Sequence, residues 1–279
     1  MTRTLVLGGG GVAGIAWEAG IVTGLRRAGI ELGEADLIIG TSAGSVVGTL
    51  VATEADLESA VGVQAETGVS NVSTASNASA VDMEAVMAAF GVLYDPSLEP
   101  LEARRRVGEM ALAMQDTGAR IETIGDRLPV KEWPERRLLI TAVDTGTGEF
   151  VVWERESGAP LVAAVASSCA VPCVFPPVEI GGRRYMDGGV RSATNADLAA
   201  GSSAVVLLEP LAHVSPRSRL EAELAELGEA TVAHVVPDEA SVAVFGTNVL
   251  DPALWRPAFQ AGLAQAPAAQ ESVARAWKD

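Results

Sequence analysis

Apolar residues fall into short runs cut by glycine, and the runs alternate with stretches of helical spacing. Residues 4–7 form an apolar, β-prone run that stops at Gly8. After the glycines, Ile15, Ala19, Val22 and Leu25 recur at helical spacing, predicting a helix over 15–28 that Gly29 ends. A second buried strand is predicted at 36–39, a turn at 40–44 and a helix over 45–53. This β-turn-α-β-turn-α order is the pattern of a parallel sheet with crossover helices.

The middle is less regular. Residues 67–80 are rich in Ser, Thr, Asn, Ala and Gly and read as a mobile loop. Helices are predicted over 82–90 and 101–117, with Arg104, Arg105 and Arg106 on a solvated face. Strands follow at 137–143 and 149–153, joined by a hairpin-like turn, then a short helix over 160–168. Residues 178–180 and 184–186 flank Gly181-Gly182, a second hairpin signal. A strand at 204–208, a helix over 217–230 and a strand at 231–236 precede a mostly helical end, broken at Pro252, Pro257 and Pro267. Without repeats or a convincing linker, residues 1–279 read as one domain with a mobile loop and helical insertion at 67–117.

Composition narrows the function classes. The chain has 279 residues, is 48% hydrophobic and carries 36 acidic against 20 basic residues, a net charge of −16. Such a balance disfavours a nucleic-acid surface and simple electrostatic docking to an anionic membrane. Two cysteines, Cys169 and Cys173, exclude a disulfide framework, and two histidines leave little for a metal site. The first residues lack a signal-peptide pattern, and the longest apolar run, 160–178, contains Pro172, Pro176 and Pro177. The expectation is a cytoplasmic enzyme without metal or cofactor.

Three motifs carry candidate chemistry. Gly40-Thr41-Ser42-Ala43-Gly44 is Gly-x-Ser-x-Gly between a strand and a helix, a context that exposes a serine on a strained turn. Gly8 to Gly11 with Gly14 has two readings. Gly9-x-Gly11-x-x-Gly14 is formally a dinucleotide fingerprint, but no acid ends the second strand to bind a ribose. The other reading is an oxyanion hole, in which main-chain N–H groups of Gly9, Gly10 and Gly11 converge on one point. Asp187-Gly188-Gly189 places a carboxylate on a tight turn.

Together the motifs resemble those of the patatin-like phospholipase family of lipid acyl hydrolases. The glycine run resembles its oxyanion block, Gly40 to Gly44 its nucleophile elbow, and Asp187-Gly188-Gly189 its second catalytic motif. The stretch from Ala166 to Pro172, continuing through Phe175 to Val178, also resembles the approach to that aspartate. Two positions depart from the family pattern: Ala13, where a basic residue is common, and Trp17, where His or Tyr is usual. They bear on the polar support of the loop and on head-group preference.

The resemblance implies a three-layer α/β/α fold with a mostly parallel central sheet. It also implies a Ser42–Asp187 dyad without histidine, cleaving carboxylic esters through an acyl-enzyme. The expected partner is an acyl lipid or ester, with transient contact to a membrane or micelle surface. Two alternatives remain open: a Ser–His–Asp esterase using His213, for which the chain order Ser42, Asp187, His213 is suitable, and a non-catalytic acyl- or lipid-binding module. Met83, Met87, Phe90, Leu93, Met110 and Met114 are expected either to line an acyl site or to be ordinary helix core.

Overall fold

The computed structural model describes residues 2–72, 83–114 and 119–277. Strand β1 (Arg3–Leu7) is central in the sheet. It lies parallel to β2 (Leu37–Gly40) on one side and to β7 (Ala204–Leu208) on the other. β3 (Arg137–Asp144) continues the parallel set beyond β2, and β8 (Thr231–Val235) beyond β7. An antiparallel flank completes it: β4 (Phe150–Trp153) and β6 (Arg183–Asp187) both pair with β3, and β5 (Val178–Ile180) pairs with β6. β1, β2 and β7 are nearly continuous apolar runs because helices cover both of their faces.

Helices α1 (Gly11–Arg27), α2 (Ala43–Ala52), α7 (Leu161–Ser168) and α10 (Trp255–Trp277) share one core with Leu5, Ile38, Ile140 and Val206. Strand alternation sends Val6, Ile39, Leu139 and Leu207 to the opposite face, where α8 (Arg217–Ala225) contributes Leu220. On that same face α4 (Met83–Leu93) and α5 (Pro100–Ala111) cover Val143 and Met186. This is a mostly parallel sheet between two helical layers. No helix among the described residues is long and apolar enough to cross a membrane.

Several expectations need correction. Residues 67–72 belong to α3 (Leu57–Val72), whose Leu57, Val61 and Ala65 are buried at helical spacing. The rest of the expected loop, 73–80, lies outside the described residues. The helix expected to run to 117 ends at Ala111, and α6 (Ala119–Arg127) follows it. α9 (Glu239–Phe245) is separate from α10, but Pro257 and Pro267 do not break α10. Pro257 sits in its first turn, where an N–H has no intrahelical acceptor anyway. Pro267 lies mid-helix, and close packing against α1 holds the segment in place. A Cβ on Gly20 of α1 would come within 2.2 Å of Phe259 O, and one on Gly262 of α10 within 2.2 Å of Trp17 O.

Part of the methionine-rich set is helix core. Leu93 and Met110 pack with Val143, Met186 and Val190 on the face of the sheet away from α2, while Met87 and Phe90 are exposed. The Met83 side chain lies outside the described part. Arg105 and Arg106 pair with Glu102 of their own helix, but Arg104 turns back to Gly148 O at 2.7 Å.

Candidate active site

β2 ends at Gly40, and the chain reverses through Thr41 and Ser42 into α2. Ser42 sits at φ 52°, ψ −116°, a region that costs a non-glycine residue about 1–3 kcal/mol. Its surroundings fix it there. Its N–H donates to Ser168 Oγ at 2.9 Å, and its carbonyl accepts from Ser45 Oγ at 2.7 Å and Cys169 Sγ at 3.2 Å. Gly44 N–H donates to Gly8 O at 3.0 Å, tying the elbow to the glycine loop. A Cβ on Gly44 would fall 2.0 Å from Leu7 O, inside the backbone of β1. Gly44→Ala is therefore expected to lose more than about 3 kcal/mol of stability. A denaturant melt followed by circular dichroism checks this, and a wild-type midpoint would contradict the packing.

Asp187 ends β6. Its N–H donates to Ala170 O at 3.0 Å, and its Oδ1 accepts from Gly189 N at 2.7 Å. Oδ2 is buried without a well-formed hydrogen bond, yet the Ser42 hydroxyl is close enough to favour the ionised carboxylate. The contact is an approach without a formed hydrogen bond, a looseness common in unliganded sites. Burial dominates and raises the carboxyl to about 6, against the opposing pull of Ser42, Gly189 N–H and Arg120. Gly188 is required behind it, since a Cβ there would meet Thr141 Oγ1 at 2.2 Å.

The glycine loop lies against the serine: a Cβ on Gly9 would be 3.5 Å from Ser42 Cβ. Gly9 itself departs from expectation. Its N–H donates to Ala193 O at 2.8 Å and is not free for an oxyanion. Among the described residues, no acceptor is recorded for Gly10 or Gly11 N–H. Gly10 caps α1 and Gly11, at φ 60°, is its first residue, so both lie at the positive end of the helix. Ala13 N–H is taken by Val249 O at 3.0 Å. Trp17 is wholly buried, its indole donating to Gln265 Oε1 at 2.9 Å.

Neither histidine bonds to Asp187. His234 on β8 pairs with Glu209 Oε2 at 2.8 Å, and exposed His213 packs near Phe245 with ring centroids 6.5 Å apart. Among the described residues no group of His, Cys, Asp and Glu gathers as a metal cluster. Cys169 and Cys173 are not joined in a disulfide, and the first is buried and the second half-buried.

Four side chains were not legible as site components. Ser168 receives the Ser42 N–H. Asn195, fully buried at φ 51°, donates to Thr41 Oγ1 at 3.0 Å and Ser192 O at 2.8 Å, with Gly188 O at 3.4 Å. It thereby links the elbow to the turn after Asp187. Arg120 donates to Cys169 O at 2.7 Å and lies over the Phe175 ring at 3.7 Å, bringing a positive charge towards Asp187 from α6. Glu18 of α1 is wholly buried near Gly8, and burial raises its carboxyl well above the usual range. Only Asn195 had a usable sequence signal, since asparagine tolerates left-handed backbone after a turn.

A 53-residue stretch is 51% identical to lysophospholipase nte1 of Aspergillus oryzae, covering 19% of this chain and 3% of that protein. A 58-residue stretch is 50% identical to lysophospholipase NTE1 of Coccidioides immitis, covering 21% of this chain and 3% of that protein. The chain thus matches only a small part of the length of these relatives. Among solved structures, VipD from Legionella pneumophila aligns with a TM-score of 0.47 at 13% identity, over 97% of this chain and 66% of that one. The type III effector ExoU aligns with a TM-score of 0.38 at 14% identity, over 96% of this chain and 53% of that one. Residues 5–200 match the profile of the patatin-like phospholipases, a span that holds the glycine loop, the elbow and the Asp-Gly-Gly turn. With well over half of its length inside that match, the chain belongs to the patatin-like phospholipase family.

Proposed function

We propose that the protein is a serine lipid acyl hydrolase that cleaves carboxylic esters through a Ser42–Asp187 dyad. The observation that carries this is the strained Ser42 facing the unbonded Oδ2 of a buried Asp187, with the free N–H groups of Gly10 and Gly11 on the adjoining loop. Ser42 Oγ attacks the ester carbonyl carbon while its proton passes to Asp187. The carbonyl oxygen becomes an oxyanion held by Gly10 and Gly11 N–H. Collapse of the adduct expels the alcohol, which takes the proton from Asp187, and leaves the acyl group on Ser42. Asp187 then takes a proton from water as its oxygen attacks the acyl carbon, and Ser42 is restored as the fatty acid leaves. The lysophospholipase names of the two relatives support a lipid ester, a lysophospholipid among them, as substrate.

Labelling with a fluorophosphonate, read at Ser42 by peptide mass, tests the nucleophile. Hydrolysis across p-nitrophenyl esters, phospholipids and lysophospholipids tests the substrate class. No label and no ester turnover would leave a non-catalytic lipid-binding module.

The raised Asp187 carboxyl predicts a pH profile. The base must be ionised, so kcat/KM should fall as pH drops through about 6. Stability runs the other way. A carboxyl that binds its proton more tightly when folded costs stability as pH rises from its unfolded value of 3.8 to about 6. Asp187→Asn should therefore raise the melting temperature at pH 7, by a free energy on the order of 2–3 kcal/mol. A wild-type melting temperature for this variant would contradict the buried, poorly compensated carboxylate.

A further inference from the structure

On the face of the sheet away from α2 and α7, a cavity of about 460 Å³ opens between α4, α5 and α8. Two arginines border it, Arg104 from the first turns of α5 and Arg219 from the first turn of α8. Neither has a carboxylate partner among the described residues, although the chain holds 36 acidic side chains to 20 basic ones. Their neighbour Arg191 is neutralised by Asp197, at 2.9 and 2.6 Å. Burial, followed by the like charges of Arg191 and Arg219, lowers the pKa of Arg104, so positive charge is concentrated here without a counter-ion.

The one acid on the rim, Asp95, is occupied within its own loop. Its Oδ1 accepts from Ser97 N–H at 2.8 Å and Ser97 Oγ at 2.6 Å. The Ser218 hydroxyl and the Tyr94 phenol add hydrogen-bonding groups, and α8 begins here with no side-chain cap and no acid in its first turn. The remaining wall, including Val190 and Ala222, is apolar. The volume exceeds that of an inorganic anion and leaves room for an organic part beside a charged one. Beyond the rim, Phe90 stacks on Tyr94 with centroids 6.2 Å apart, and both rings are exposed.

We propose that this cavity binds a phosphate ester, with Arg104 and Arg219 clamping the phosphate and the apolar wall meeting its organic part. Planar guanidinium groups suit phosphate oxygens, and charge-assisted hydrogen bonds of this type are the strong ones. The site is separate from Ser42 and does not depend on the dyad. The phosphate can come from a lipid head group or from a soluble phosphate ester, and the test distinguishes them.

Wild type, Arg219→Gln and Arg104→Gln/Arg219→Gln are titrated with glycerol phosphate by calorimetry. The same three proteins are sedimented with phosphatidylcholine vesicles that contain or lack phosphatidate. Arg219 lies on an exposed first turn, so the single variant keeps the test valid if the double variant folds poorly. The expected result is binding weakened about tenfold or more in the variants, with turnover of a short p-nitrophenyl ester unchanged. Loss of glycerol phosphate binding identifies a soluble ligand. Loss confined to phosphatidate vesicles identifies a lipid head group. Binding of both probes that is indifferent to the two arginines, or absent from wild type, overturns the proposal.

Discussion

Ser42→Ala should remove ester turnover by a thousandfold or more while leaving the fold unchanged. The serine hydroxyl makes no hydrogen bond that holds the elbow. The contacts that fix residue 42 come from its main chain, to Ser168, Ser45 and Cys169. Alanine keeps the N–H and carbonyl and loses only the attacking oxygen. The strain at φ 52° remains, since it arises at any residue with a Cβ. Residual hydrolysis would come from the oxyanion donors and substrate binding alone. The measurement is kcat/KM on a short-chain ester, with melting temperature as the control for folding. Wild-type turnover in a folded variant would move the nucleophile elsewhere.

The second large effect separates a dyad from a triad. Asp187→Asn should lose nearly all activity, because an amide cannot accept the Ser42 proton. The paired change His213→Ala with His234→Ala should retain most of kcat/KM. The geometry supports this ranking. Asp187 Oδ1 is filled by Gly189 N–H and Oδ2 is left to Ser42, so the carboxylate has no bond to an imidazole. His234 is engaged with Glu209, which Arg217 also contacts at 3.0 Å. Its loss should therefore cost stability more than rate, and each single variant is needed to assign any deficit. A folded, inactive His213→Ala would reverse the assignment and restore the Ser–His–Asp esterase, whose proton shuttle needs an imidazole oriented by a third group.

The parts of the site that could be read from sequence are those where backbone chemistry restricts the residue type. Gly40 and Gly44 flank the elbow because a side chain at either would strike main chain. The β1 and β2 runs are apolar throughout because both of their faces are covered. α3 was harder to read because Gly62 and a Ser/Thr/Asn-bearing second half obscure a stripe that, among the described side chains, buries Leu57, Val61 and Ala65. α10 was obscured by prolines that tertiary packing tolerates. Gly9 shows another limit. A run of four glycines does not reveal which N–H groups point inward, and Ala193 O, nearly two hundred residues away, engages one of them. Arg120 reaches the site only through long-range packing, so local pattern could not identify it.

The glycine loop is also held from a distance. Val249 O accepts Ala13 N–H, a Cβ on Gly11 would meet Val249 O at 2.8 Å, and α10 lies against α1 at near-backbone contact. The loop and its backing lie more than two hundred residues apart along the chain. The side of α1 that faces α10 therefore stays uncovered until residues 255–277 are made and dock, a long-range closure of the slow-folding kind. During that interval Gly10 and Gly11 have no fixed direction. The glycine loop would thus take its final direction only once α10 has docked on α1.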